Sequence, residues 1–167
     1  MPARFHHVTV SSAVAAPRAA VWARIASFEG VNDELGPILS MSAPPEVPAL
    51  TPELATGQPL FRSWLRLFGI LPVDYDHIGF GAIEPGEYFA ERSTMGLMTA
   101  WHHDRHLHDA AGGTRVVDHL AFVPRVPGTG PLARVLVRAL FHHRHRRLAR
   151  HFGAIAPITS STAIDPR

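Results

Sequence analysis

The chain has no cysteine, no lysine and no long apolar run, and each absence removes a class of protein. Without cysteine there is no disulfide framework, no thiolate metal site and no cysteine nucleophile, and a reducing compartment fits. No stretch approaches the roughly 18 uninterrupted apolar residues of a membrane span. The opening MPARFHHVTV carries arginine and histidine where a signal peptide needs an apolar core. Neither secretion nor a membrane span is expected, and the expected location is the cytoplasm. Since lysine is absent, all 16 basic residues are arginine. The very high arginine pKa lifts the sequence pI to about 9.9 although the formal net charge is only +2, so the pI overstates the basicity and does not point to nucleic acid. What is present is 46% hydrophobic and 18% charged residues over 167 positions, enough for one packed domain.

Local patterns divide that domain. Phe5 to Val14 alternates as a strand. After Pro17, Val21, Trp22, Ile25 and Phe28 recur at helical spacing up to Gly30, and a second short helix is expected over Asp33 to Ser40, bent at Gly36-Pro37. Ala43 to Pro59 holds five prolines and reads as an exposed loop. Five strands follow, over Leu60 to Ile70, Tyr75 to Ile83, Tyr88 to Thr94, Leu97 to His108 and Gly113 to Val123, separated by turn residues and forming an antiparallel meander. Pro131 opens a helix that runs to Phe152 and stops at Gly153, about 33 Å long at about 1.5 Å per residue. Leu132, Val135, Leu136, Ala139 and Leu140 share one apolar face of it, and Phe141, Leu148 and Phe152 share another. The domain is expected to span residues 1–153, with 154–167 a disordered tail.

Strand, two short helices, long meander and one long C-terminal helix is the connectivity of the α+β helix-grip fold, a curved antiparallel sheet wrapped around the last helix. VAAPRAAVWARIASFEG resembles the start of SRPBCC or START-like proteins, the superfamily of polyketide cyclases and lipid-transport domains. The segment GLMTAWHHDRHLHDAAGGTRVVDHLAFVPRVPGTGPLARVLVRALFHHRHRRLARHFG resembles a bacterial ligand-binding group of it. Two features depart from that group: Arg105 stands where a second alternating histidine is expected, and the Ala43 to Pro59 loop is longer. The resemblance implies a deep apolar cavity between sheet and helix, suited to a lipid, polyketide or aromatic metabolite, and implies no cofactor.

Chemistry is concentrated in the histidines. On the strand from Trp101 to His108, Trp101, His103, Arg105 and Leu107 share one face, and His102, Asp104, His106 and His108 share the other. A four-residue loop over 109–112 would set His103 opposite Asp118, Arg105 opposite Val116 and Trp101 opposite Leu120. The expected ligand-binding residues are Trp101, His103, Arg105, Asp118, Leu120, Phe122, Leu136 and Leu140. His103 and Asp118 are also the candidate acid/base pair of a cyclase or dehydratase, since a carboxylate on one ring nitrogen fixes the tautomer and frees the other. His102, Asp104, His106 and His119 lack the fixed spacing of a metal motif and read as solvated, so no metal is expected. The basic run Phe141 to Arg147 suits either a solvated helix end or an adaptor surface for an anionic membrane or a protein partner. Binding of an apolar small molecule is the function expected first, without nucleic acid, in a chain compatible with a homodimer.

Overall fold

A computed structural model describes residues 4–164. The elements are β1 (His6–Val14), α1 (Arg18–Ile25), α2 (Phe28–Leu35), β2 (Leu39–Met41), β3 (Pro59–Leu67), β4 (Leu71–Glu84), β5 (Tyr88–Met95), β6 (Met98–Ala110), β7 (Gly113–Pro124), α3 (Gly130–Phe152) and β8 (Ala154–Ile164). All eight strands join one antiparallel sheet in the order β2-β3-β4-β5-β6-β7-β1-β8, and α3 crosses its concave face against β1. The α+β helix-grip architecture is therefore present.

Several local expectations are corrected. The helical pattern after Pro17 forms two helices, because Ser27 leaves the helical conformation and its side chain caps α2 by accepting from the Gly30 N–H at 3.0 Å. The helix expected over Asp33 to Ser40 ends at Leu35. Pro37 cannot donate to a continuing helix, and Leu39 to Met41 pairs instead with β3. Ala43 to Pro59 is irregular but not free: Leu50 N donates to Ala26 O at 2.7 Å, and Leu50, Leu54 and Ala55 pack on the core.

The expected disordered tail is largely a strand. Ala154 to Ile164 pairs with β1 along its length, because Gly153, at φ 86°, reverses the chain after α3 and Ala15 N donates to Gly153 O at 2.9 Å. Residues 165–167 lie outside the described part. The β6–β7 hairpin is tighter than expected: Ala110 pairs with Gly113 across a two-residue turn in which Gly112 takes φ 81°. Arg105 therefore lies opposite Asp118, His103 opposite Leu120 and Trp101 opposite Phe122. The slip is two residues, so every side chain keeps its face.

The face of α3 differs most from expectation. Ala133, Val137, Phe141, Arg144, His145 and Leu148 are buried, whereas Leu132, Val135 and Leu136 stand in solvent, and Leu136 is 59% exposed. Leu136 is thus no cavity residue, and half-buried Leu140 does not reach the cavity either. Two substitutions separate these faces in urea denaturation. Phe141→Ala is expected to cost ~3–5 kcal/mol as a core truncation. Leu136→Ala is expected to stay within ~0.5 kcal/mol as a surface change.

Candidate functional site

Inward-facing positions of β6 and β7 place His103, Arg105 and Asp118 beneath α3. The Asp118 carboxylate is fully buried and accepts four hydrogen bonds. His103 Nε2 (2.8 Å) and Arg105 Nε (2.6 Å) donate to Oδ1, while Arg105 Nη2 (2.7 Å) and His145 Nε2 (2.8 Å) donate to Oδ2. Burial alone would push this carboxyl up, but the Arg105 charge and its hydrogen bonds, then His103, hold it well below the usual carboxylate range. An ionised carboxylate only accepts, so both imidazoles carry their proton on Nε2.

The remaining faces of these groups are also filled. Arg105 Nη1 reaches both oxygens of Glu34 at 2.9 Å, and Arg144 Nε donates to Glu34 Oε2 at 3.0 Å. Two buried guanidinium groups thus face two buried carboxylates. His145 Nδ1 lies 2.5 Å from Ser12 Oγ, which donates to it. His103 stands edge-on between the rings of Phe89 and Phe141, with centroids 5.2 and 5.0 Å away. Its Nδ1, free of Asp118, points toward Glu91 Oε2 at 3.5 Å.

Beyond Glu91 lies a second acid. Asp76 on β4 is buried beside Glu91 and Ser93, and its Oδ1 has no hydrogen-bond partner among the described residues. Burial first, then the Glu91 charge, pushes the Asp76 carboxyl up to about 9, so it carries a proton at neutral pH. Ser93 Oγ donates to Glu91 Oε1 at 2.8 Å.

A partly open cavity of about 60 Å³ adjoins this cluster. Ile25, Phe28 and Val31 of the helices, Leu50 of the Ala43 to Pro59 stretch, and Met41, Ile78, Phe80 and Phe89 of the sheet form its apolar walls; Glu91, His103 and Arg144 form a polar end. Of the eight expected ligand-binding residues only His103 lines it. Arg105 and Asp118 are consumed in the ion network, and Trp101, Leu120 and Phe122 pack with Val137 and Phe141 in a separate apolar cluster. The deep cavity implied by the resemblance is occupied where those residues meet α3.

Glu34, Glu91, Arg144, His145, Ser12 and Asp76 were not among the expected site residues. Arg144 and His145 share the helix face of Phe141 and Leu148, so the helical repeat does carry their signal. Glu34 carries a weaker one, an acid three residues from Val31 on a short amphipathic helix. On the outer face, His106 lies 5.8 Å from His119 and 6.0 Å from His108, ring to ring. No group of three such side chains is placed to hold a metal among the described residues. In the basic run, Arg144 is bound to Glu34 and Arg147 donates to Asp33 at 3.0 Å, which leaves fewer free cations than the sequence suggests.

The fold is the helix-grip fold. The model for a domain of unknown function, DUF8410, matches residues 12–152, and the chain belongs to that family. No curated protein matches it significantly in sequence. Among solved structures it is similar to DynU16, a protein of the dynemicin biosynthetic locus, at 23% identity and a TM-score of 0.60 over 87% of this chain. The chain spans 46% of that protein. A START superfamily protein from Mycobacterium smegmatis is 12% identical, with a TM-score of 0.64 over 88% of this chain and 97% of that one. The Zhui aromatase/cyclase from Streptomyces sp. R1128 is 18% identical, with a TM-score of 0.58 over 92% and 99%. These likenesses establish the fold. No helix among the described residues is long and apolar enough to cross a membrane.

Two substitutions test the electrostatics. Asp118→Ala leaves Arg105 without its strongest partner and is expected to cost ~3–5 kcal/mol in denaturant unfolding. Asp76 acts with the opposite sign: its raised pKa makes the native state hold a proton that the unfolded chain has released. Its contribution therefore falls as pH rises from the ordinary 3.8 toward about 9. Asp76→Asn is expected to flatten the melting temperature against pH across that window and to raise it at pH 8.

Proposed function

We propose that the protein binds a small, mostly apolar molecule with one polar group, seated in the cavity below the α1–α2 junction with that group against His103. The observation that carries this reading is the placement of His103. Asp118 fixes one ring nitrogen, and the other faces a cavity whose remaining walls are mostly apolar. A hydroxyl or enol on the ligand suits that polar end, where His103 Nδ1 and Glu91 Oε2 stand 3.5 Å apart. Ligand pockets of this type usually enclose roughly 300–1,000 Å³, and the present space is far smaller. Enlargement would come from displacing Leu50 of the Ala43 to Pro59 stretch, which covers the cavity and is held at the α1–α2 junction by Leu50 N to Ala26 O (2.7 Å) and Phe28 N to Pro48 O (3.4 Å). That a START superfamily protein and an aromatase/cyclase have the same fold supports the reading of a binder of organic molecules.

A second reading, acid/base catalysis of the cyclase or dehydratase kind, is favoured by the same imidazole. His103 Nδ1 can take a proton while Asp118 stabilises the imidazolium, and protonated Asp76 lies behind Glu91 as a proton source. Native mass spectrometry of protein from its own host, followed by denaturing extraction, is expected to release a stoichiometric apolar compound. A protein that is empty, and stays empty after incubation with lipids and aromatic metabolites, contradicts both readings. With the compound in hand, His103→Ala separates them: a binder loses affinity and shows no turnover in either form, whereas an enzyme keeps binding and loses turnover.

A further inference from the structure

Apart from Ile155, the large apolar side chains that the fold leaves in solvent among the described residues are gathered at one end of the molecule. At the β3–β4 turn, Phe68 is 65% and Ile70 81% exposed, with Leu71 and Val73 beside them. Neighbouring connections meet this turn through hydrogen bonds: Phe68 N donates to Ile38 O (2.8 Å), Leu97 N to Asp74 Oδ2 (3.4 Å) and Arg125 N to Leu97 O (2.9 Å). Ile38, Leu97 and Val126 on those connections are themselves exposed, and the outward Leu132, Val135 and Leu136 lie on the first turns of α3, which start from the same end of the sheet. The turn Phe68-Gly69-Ile70 projects beyond the paired strands, with Phe68 held at φ 51° and Gly69 at 73°.

Charge is distributed to match. Arg66, Arg125 and Arg134 stand at this end, and the acid there, Asp74, spends its carboxylate on the Tyr75 and Leu97 backbone N–H groups. The opposite end, formed by the β4–β5 and β6–β7 turns, mixes signs, with Glu84 and Glu87 near Arg115 and with Asp109 paired to Arg18 at 3.0 Å. An apolar tip ringed by cations orients toward an anionic interface. A second copy of the chain would set the same arginines against one another.

We propose that this end inserts into the headgroup region of an anionic lipid bilayer, with the β3–β4 turn as the leading element and Arg66 and Arg134 on the lipid phosphates. Trp64, 42% exposed and stacked edge-on with Tyr75 at 5.9 Å, sits just behind the turn, at the depth where tryptophan and tyrosine collect at membrane surfaces. The surface is distinct from the basic C-terminal turns of α3. It is also independent of the cavity, because the test uses bare vesicles without a cargo, so the two readings fail separately.

The test is flotation of the full chain with vesicles of phosphatidylcholine alone or mixed with phosphatidylglycerol, with tryptophan fluorescence as a second readout. Binding is expected to the mixed vesicles, with a blue shift of Trp64 emission, and to weaken as salt is raised. Replacing Phe68→Asn, Ile70→Ser and Leu71→Thr together should lower binding roughly tenfold or more, and Asn suits the left-handed conformation at 68. Ile155→Ser, on an exposed apolar side chain of β8 away from this end, should leave binding unchanged. Arg66→Gln with Arg134→Gln should remove the preference for phosphatidylglycerol. Should the triple variant unfold by circular dichroism, Leu97→Ser with Val126→Ser on the neighbouring connections must show the loss instead. No binding to mixed vesicles, unchanged binding in folded tip variants, or a solution dimer that the tip variant splits would each overturn the proposal, the last by assigning the surface to a second copy.

Discussion

A carboxylate sealed inside a protein must have its charge and lone pairs answered by the elements around it, and Asp118 sets that demand for this fold. Both oxygens accept two hydrogen bonds, and the donors come from β6 and α3. Arg105 has donors left over, which Glu34 on α2 takes, and Glu34 in turn holds Arg144 of α3. One charge on β7 therefore fixes where α2 and α3 lie on the sheet. Buried ion pairs of this kind add little net stability over a well-packed apolar core, but each is costly to break singly. Their effect is to make alternative placements of the helices expensive, and to fill the space that a START-like fold can leave open.

Much of the fold is legible in the sequence because its signals are local. Strand alternation in β6 and β7, proline and glycine at the ends of α3, and turn residues between the meander strands each depend on nearby chain. The His103–Asp118 contact is legible for a related reason: a hairpin brings the two residues together, and the two-residue error in register preserves their faces. Glu34 is different. Its partners stand 71 and 110 residues away in sequence, so its place on the helix face beside Val31 is a weak local sign that it is buried. β8 is hidden similarly, since a run rich in serine and threonine becomes a strand only when β1 offers an edge to pair with.

The polar groups along the cavity form a graded series. Asp118, facing a guanidinium, is held ionised; Asp76, facing another carboxylate in a buried position, is held neutral. His103 lies between them, tied to the first and approaching the second through Glu91. Asp118 thus keeps its charge and Asp76 its proton, and the imidazole is held in place from both sides.

The exposed apolar surface and the buried ion network have a common origin in the rotation of α3. Residues 133, 137, 141 and 145 follow one another at intervals of four along one side of the helix, and 144 and 148 fall within the same side. Once His145 meets Asp118 and Arg144 meets Glu34, the helix cannot turn, and Ala133, Val137 and Phe141 must face the sheet with them. Positions 132, 135, 136 and 139 are then carried to the opposite side, whatever their hydropathy. A purely apolar core would have let the helix rotate to bury its leucines, as the pattern of the sequence alone implies. The polar contacts prevent it, so the greasy side of the first turns is left outward. The sealed interior and the outward leucines of α3 are thus two consequences of the contacts that Asp118 and Glu34 make with one helix.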